Sequence, residues 1–223
     1  MSNIKLVHSG GNSVTIAAPD SNPAANRTLK LPSNADGNIL TSTSGSPLQV
    51  LEEFGSPCDG SSLTTANGTV TFQNVTSYQN NRTSSYTDVT GSSISYQPPS
   101  GTVQVHYYFS YYIGWYDNNN GYGLSHYQNV IDGNVVTKSK HTYRSNDYQG
   151  MQHIHWIYNI GGSTDYTVGR VANWNSAKTL KVQMREYSDS YNIKLHANNY
   201  MDGSSNDAVV VPTLYIKAIG VPS

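Results

Sequence analysis

The chain holds one cysteine, Cys58, so no intrachain disulfide framework can stabilise it. Charge is scarce as well. Charged residues make up 12% of the 223, and the formal net charge is −1. With 13 basic residues and no basic run there is no phosphate footprint, and a nucleic-acid-binding role is not expected. No apolar run approaches the ~20 residues a helix needs to cross a bilayer. The first thirty residues show no positive segment followed by an apolar one, so no secretory signal is expected. The N-x-T sequons at Asn26, Asn67, Asn74 and Asn81 then read as by-products of an Asn/Thr-rich composition. Helix-forming runs of Ala, Glu, Leu and Lys are almost missing.

Catalytic constellations are also lacking. Glutamate occurs only at Glu52, Glu53 and Glu186, and nothing in the sequence brings two carboxylates together as glycoside hydrolysis requires. There is no G-x-S-x-G elbow and no glycine-rich phosphate loop. Cys58 has no histidine nearby in sequence. An enzyme is therefore not expected, and neither is a cofactor. Asp117-Asn118-Asn119-Asn120-Gly121 resembles a calcium loop only superficially. Tyr122 stands where an EF-hand needs glycine, and no glutamate closes the loop.

What the chain has is tyrosine, 18 in all, together with strand-forming Val, Ile and Thr and turn-forming Gly and Asn. The class is all-β. Residues 102–116, TVQVHYYFSYYIGWY, organise the rest. Val103, Val105, Tyr107, Phe109, Tyr111, Ile113 and Trp115 fall on one side of a strand and want a core. The other side carries His106, Tyr108, Tyr112 and Tyr116, too aromatic for ordinary solvent surface. That side is expected to be a self-association face.

Strands with turn signals follow at near-regular spacing. Tyr86–Val89 and Ser92–Tyr96 read as a pair broken by Gly91, and Asp132-Gly133 as a tight hairpin turn. On 151–160, Ile154, Trp156 and Tyr158 oppose Met151, His153, His155 and Ile157; on 178–187, Leu180, Val182 and Met184 face in. About ten strands and no helix point to a jelly-roll-type antiparallel β-sandwich. Residues 1–54 read as an extended N-terminal β-segment arm and linker, and 55–223 as the β domain. The arm has too few apolar residues for a core of its own.

Two further constellations merit expectations. His153 and His155 share a strand face and suit a histidine ring near a symmetry axis, sensitive to pH near 6.5. Two imidazoles at this spacing could share a metal only with a distant third ligand such as His106, His126 or His141. The packed reading is preferred, and no metal site is expected. Asn118, Asn119, Asn120 and Trp174 are candidates for contacting a glycan, Trp174 by stacking.

GGNSVTIAAPDSNPAANRTLKLPSNADGNIL at 10–40 resembles the N-terminal segments of structural proteins of marine bacteriophages, notably those infecting cyanobacteria. SSYTDVTGSSISYQPPSG at 84–101 is similar to a stretch of the same proteins. The chain departs from their pattern at the tyrosine-dense strand 102–116. The resemblance implies a virion component with a jelly-roll domain of the tumour-necrosis-factor-like type, which associates in threes with one sheet of each subunit against the axis. On that footing the expected role is a non-enzymatic, self-associating capsid decoration, cement or head-fibre protein. It would be made in the host bacterial cytoplasm and carried on the particle surface. Its arm would dock it to a virion partner such as the major capsid protein or a tail component. The alternative is a trimeric tail-fibre adhesin that binds host surface glycan.

Overall fold

A computed structural model describes residues 4–7, 9–11, 13–16, 48–81, 83–115, 122–146, 150–188, 193–198 and 208–221. The chain divides into two compact units, Met1–Gly45 and Ser46–Ser223. In the first, strands β1 (Ile4–Val7) and β2 (Ser13–Ile16) pair with each other as an antiparallel hairpin. Leu29 and Leu31 lie outside the described residues.

The second unit contains β3 (Gln49–Pro57), β4 (Ser62–Thr65), β5 (Gly68–Thr71), β6 (Gln79–Asn81), β7 (Thr87–Asp88), β8 (Ile94–Tyr96), β9 (Thr102–Trp115), β10 (Tyr122–Ile131), β11 (Asn134–Asn146), β12 (Gly150–Ile160), β13 (Arg170–Val171), β14 (Lys178–Glu186), β15 (Ile193–Leu195), β16 (Ala197–Asn198), β17 (Ala208–Val209) and β18 (Thr213–Gly220). A 3-10 turn at Tyr166–Val168 precedes β13. Pairing is antiparallel throughout this unit except for the two-residue contact of β12 with β13.

The strands form an all-β antiparallel sandwich. The larger sheet runs β13-β12-β9-β18-β3, with β15 and β6 continuing alongside the far end of β9. The smaller runs β11-β10-β14, with β7 and β8 on the outer edge of β14. β7 and β8 together count as one strand interrupted at Gly91, so the long strands in chain order are β3, β7/β8, β9, β10, β11, β12, β14 and β18. One sheet then pairs first, last, third and sixth; the other pairs second, seventh, fourth and fifth. This interleaving is the jelly-roll arrangement.

Two readings from sequence are corrected here. Tyr86–Val89 and Ser92–Tyr96 do not pair with each other. Thr87 and Asp88 bond to Met184 and Gln183, while Ile94–Tyr96 bond to Leu180–Lys178, so the two pieces lie end to end on one neighbour. Ser92 fills the interruption, its hydroxyl donating to Val89 O at 2.6 Å and accepting from Val182 N at 3.1 Å. The second correction is the expected linker up to residue 54. It is strand, hydrogen-bonded along β18 from Gln49 to Pro57. Phe54 packs edge-on against Tyr96 at 5.3 Å and Phe72 at 6.3 Å, and therefore belongs to the β domain.

The core forms where the two inner faces meet. From Val105 to Ile113 every second residue of β9 is buried, and Leu180, Val182 and Met184 of β14 face them across the sandwich. Tyrosine fills this interior: Tyr96, Tyr107, Tyr111, Tyr127 and Tyr158 are fully buried. The rings supply large apolar area at little rotamer entropy. Their hydroxyls need partners; Tyr107 donates to Ser92 O at 2.6 Å and Tyr96 to Glu52 Oε2 at 2.7 Å. At Gly114 β9 passes close to another segment; a Cβ there would strike the carbonyl oxygen of Ala197.

His196 lies in this interior in a left-handed conformation (φ 63°). Its Nε2–H donates to Thr90 O at 2.9 Å, and among the described residues nothing partners Nδ1. Burial pulls its pKa down to about 4, against the opposing pull of the Thr90 bond. Between pH 6.5 and 4 the unfolded chain takes up this proton and the folded chain does not, so stability falls as pH falls. The loss amounts to about 3 kcal/mol over that window. Urea titrations at pH 7.5 and pH 4 should show it, and His196→Gln should remove most of the difference. An equal acid loss in the variant would assign the effect to other groups.

Candidate functional site

The outward face of the larger sheet carries the notable chemistry. Its rows are set by register. Tyr108 of β9 lies beside His155 of β12 on one side and Tyr215 of β18 on the other, and Tyr215 lies opposite Gly55 of β3. In the next row Ile157, His106, Lys217 and Glu53 follow in the same order. Gly55 matters to the first row because a Cβ there would meet the Tyr215 ring at 3.0 Å. A larger residue would lift that ring off the sheet.

The rings form one connected cluster. Tyr108 stacks on His155 with centroids 4.0 Å apart and planes 5° from parallel. Tyr215 meets Tyr108 edge-on at 5.3 Å, and His106 lies 5.4 Å from His155. His155 Nε2 and His106 Nδ1 are 3.4 Å apart, close enough for one ring to donate to the other. Such pairs add ~0.5–1.5 kcal/mol each beyond area burial, so the cluster holds its side chains in place before any partner arrives.

Charge on this face is compensated. Lys217 Nζ lies 3.6 Å from Glu53 Oε2. Desolvation, with a bond from its hydroxyl to the same carboxylate adding to it, raises Tyr215 to about 12, and that bond holds Glu53 below its ordinary value. Both histidines of the cluster are lowered. Desolvation is the main cause for each, and for His106 the neighbouring His155 and Lys217 add repulsion. Apolar side chains fringe the face: Val50 of β3, 50% exposed, lies opposite Ile219, and Met151 of β12, 45% exposed, lies opposite Tyr112.

The residues singled out from sequence divide as follows. His106, Tyr108 and Tyr112 all lie on this face, half-buried. Tyr112 is tied to its own chain, its hydroxyl donating to Asn198 Oδ1 at 3.3 Å and its carbonyl accepting from His196 N. The exposed chemistry therefore centres on Tyr108. Tyr116, Asn118, Asn119 and Asn120 lie outside the described residues. His153 and His155 share the face, but His153 bonds to Ser110 Oγ at 2.8 Å, and it is His155 that meets His106. Among the described residues no three His, Cys, Asp or Glu side chains come together as a metal set. Trp174 is corrected: it is 4% exposed, donates Nε1–H to Tyr96 O at 2.9 Å and stands edge-on to Tyr158, so it is a core ring and not a stacking platform for sugar.

Sequence reading missed Tyr215, Lys217 and Glu53. A signal for the first two was present, since Leu214, Ile216 and Ala218 alternate with Tyr215, Lys217 and Ile219. Glu53 gave no such signal, because it stands beside a second glutamate in the run 51–54; the register shift between Ala218 and Ile219 leaves Leu51 out of the pairing, so the alternation of β3 breaks just before Glu52.

No protein-family model matches the chain, and no curated protein matches it. Among solved structures it is similar to a chain of the mud crab dicistrovirus particle solved by cryo-electron microscopy. The identity is 10% over 99% of this chain and 91% of that one, with a TM-score of 0.20. At that score the likeness carries no argument about fold or function.

Proposed function

We propose that the chain is a non-enzymatic structural protein of a bacteriophage particle. In this reading it is a self-associating, trimeric jelly-roll component of the capsid-decoration, cement or head-fibre kind. The N-terminal unit docks it to a virion partner, and the β domain projects from the particle surface. The observation that carries the reading is the outward face of the larger sheet. A preordered cluster of Tyr108, His155, Tyr215 and His106 is flanked by apolar side chains, and its lysine is already paired. Interface cores are enriched in aromatic rings and poor in uncompensated charge. A closed oligomer would also bury a flat aromatic sheet surface that is a liability when left open. The interleaved strand order is that of jelly rolls in general; the tumour-necrosis-factor-like form is what the sequence resemblance implies.

Sedimentation of the purified full-length chain tests the proposal: a single trimeric species at micromolar concentration is expected, and a monomer there would refute it. Copy number on isolated particles then distinguishes a decoration protein, present over the whole head, from a tail component present in few copies.

Acid should weaken this assembly. His106 and His155 are already held below the ordinary histidine value in the single chain, chiefly by desolvation, and covering the face on assembly would desolvate them further, so protonation as pH falls below 6.5 opposes association. Tyr108, Tyr215, Lys217, Glu53, Ser110 and Ile157 surround them, and Lys217 repels a proton added to His106. The oligomer is expected to dissociate more readily at pH 5 than at pH 7.5. In a His106→Gln/His155→Gln variant the dissociation constant should lose this pH dependence.

A further inference from the structure

A second feature lies away from the aromatic face, at one end of the sandwich. Three connections converge there: the turn between β4 and β5, the segment from Gln97 to Gly101 that leads into β9, and the segment from Ala172 to Asn175 that leads towards β14. They enclose a groove of about 310 Å³. A second depression of about 250 Å³ adjoins it, and Asn67 and Gln97 line both.

The lining has a definite chemistry. Among the described residues, no Asp, Glu, Lys, Arg or His lines either depression. The polar groups are amides and hydroxyls, chiefly Asn67, Gln97, Asn173 and Asn175, and the half-buried Pro99 and Ile160 supply apolar side chains on the wall. The amides are partly anchored. Asn67 Nδ2 donates to Pro98 O at 2.7 Å and Gln97 Nε2 to Asn175 O at 3.0 Å. These bonds fix the two side chains by their NH₂ groups, while the amide oxygens make no bond to any described residue.

Trp174 has a part here other than stacking. Its buried indole bonds to Tyr96 O and pins the middle of the 172–175 segment. The exposed neighbours Asn173 and Asn175 are thereby held at the rim, with side chains that bond to no described residue. The anchored backbone places these two amides at the rim, and the bonded Asn67 and Gln97 amides are preorganised acceptors, which limits the entropy lost on binding.

We infer that this groove binds a neutral oligosaccharide, one sugar ring in each depression, across the shared Asn67–Gln97 wall. With no charged residue among the described lining, a neutral ligand fits better than a phosphate or a carboxylate, whose desolvation no paired charge there would offset. Amides match the paired donor and acceptor character of vicinal hydroxyls, and the apolar side chains of Pro99 and Ile160 suit the apolar face of a pyranose. The combined size lies at the small end of ligand sites. The inference rests on the groove alone and stands whether or not the chain is a virion component.

The test uses the full-length protein with maltose, lactose, chitobiose and N-acetylneuraminic acid as probes, by saturation-transfer NMR and calorimetry. At least one neutral disaccharide is expected to bind with a dissociation constant of about 1 mM, and the acidic sugar is not. An Asn173→Ala/Asn175→Ala variant should weaken that binding at least ~10-fold. Its melting temperature should be unchanged, since neither side chain holds the fold. Absence of binding by every neutral probe would overturn the inference. So would preference for the acidic sugar, or unaltered affinity in the double variant.

Discussion

Tyr108→Asp should leave the protein folded and monomeric. Tyr108 is the hub of the outward cluster, stacked on His155 and touched edge-on by Tyr215. It is half-buried in the subunit, so the carboxylate can reach water in a monomer; circular dichroism should change little, and melting should fall only by the few degrees that losing two ring pairs implies. In an assembly the face is covered. The new carboxylate would then be buried away from Lys217, whose ammonium is already beside Glu53. An uncompensated buried charge costs ~3–5 kcal/mol, a loss of about three orders of magnitude in association. Tyr108→Phe keeps the ring and should keep the oligomer. A Tyr108→Asp protein that still sediments as the wild type would show that this face is not the interface.

Tyr107→Ala, one residue earlier, should have the opposite signature: stability collapses while the outward face is untouched. Tyr107 is fully buried and donates to Ser92 O at 2.6 Å, linking the larger sheet to the interruption between β7 and β8. Burial drives its hydroxyl pKa well above the ordinary value, so it stays a donor at any working pH. Removing a large buried aromatic side chain costs ~3–5 kcal/mol through lost contacts and the cavity left behind. That is a large part of the ~5–15 kcal/mol holding a typical domain together. The urea midpoint reads the effect. Tyr107→Phe keeps the ring and loses the hydrogen bond, and should cost about 1 kcal/mol. If the alanine variant proves no less stable than the phenylalanine one, the ring is not a keystone of the core.

Legibility in the sequence followed the range of the interaction. The two faces of β9 and of β14 could be read because period-2 alternation is local to the strand. The turn at Asp132-Gly133 could be read because both residues must take positive φ, here 48° and 77°. Pairing across long separations could not. Nothing local in Gln49–Pro57 announces that its partner is Thr213–Gly220, and a bulge scrambles its alternation. The aromatic cluster was therefore half visible, its β9 and β12 members by pattern and its β18 and β3 members only once register was fixed. Trp174 misled for a related reason. It sits in a connection with no periodicity, and only the bond to Tyr96 O, from a distant part of the chain, shows that it points inward.

The position of β18 has a consequence for how the molecule is made. This strand is the last of the sandwich in chain order, yet it lies inside the larger sheet, bonded to β9 on one side and β3 on the other. During synthesis every other strand emerges before it. Until it arrives, the edge of β9 from Thr102 to Ser110 has no partner there, and β3 has no neighbour to join it to the sheet. A nascent chain thus passes through a stage in which a long aromatic edge is open to pairing with another nascent chain. Closure by a strand so remote in sequence is slow, on the order of milliseconds to seconds for sandwiches of this kind. Yield should thus depend on how crowded translation is, and slower expression at lower temperature should favour soluble protein over aggregate.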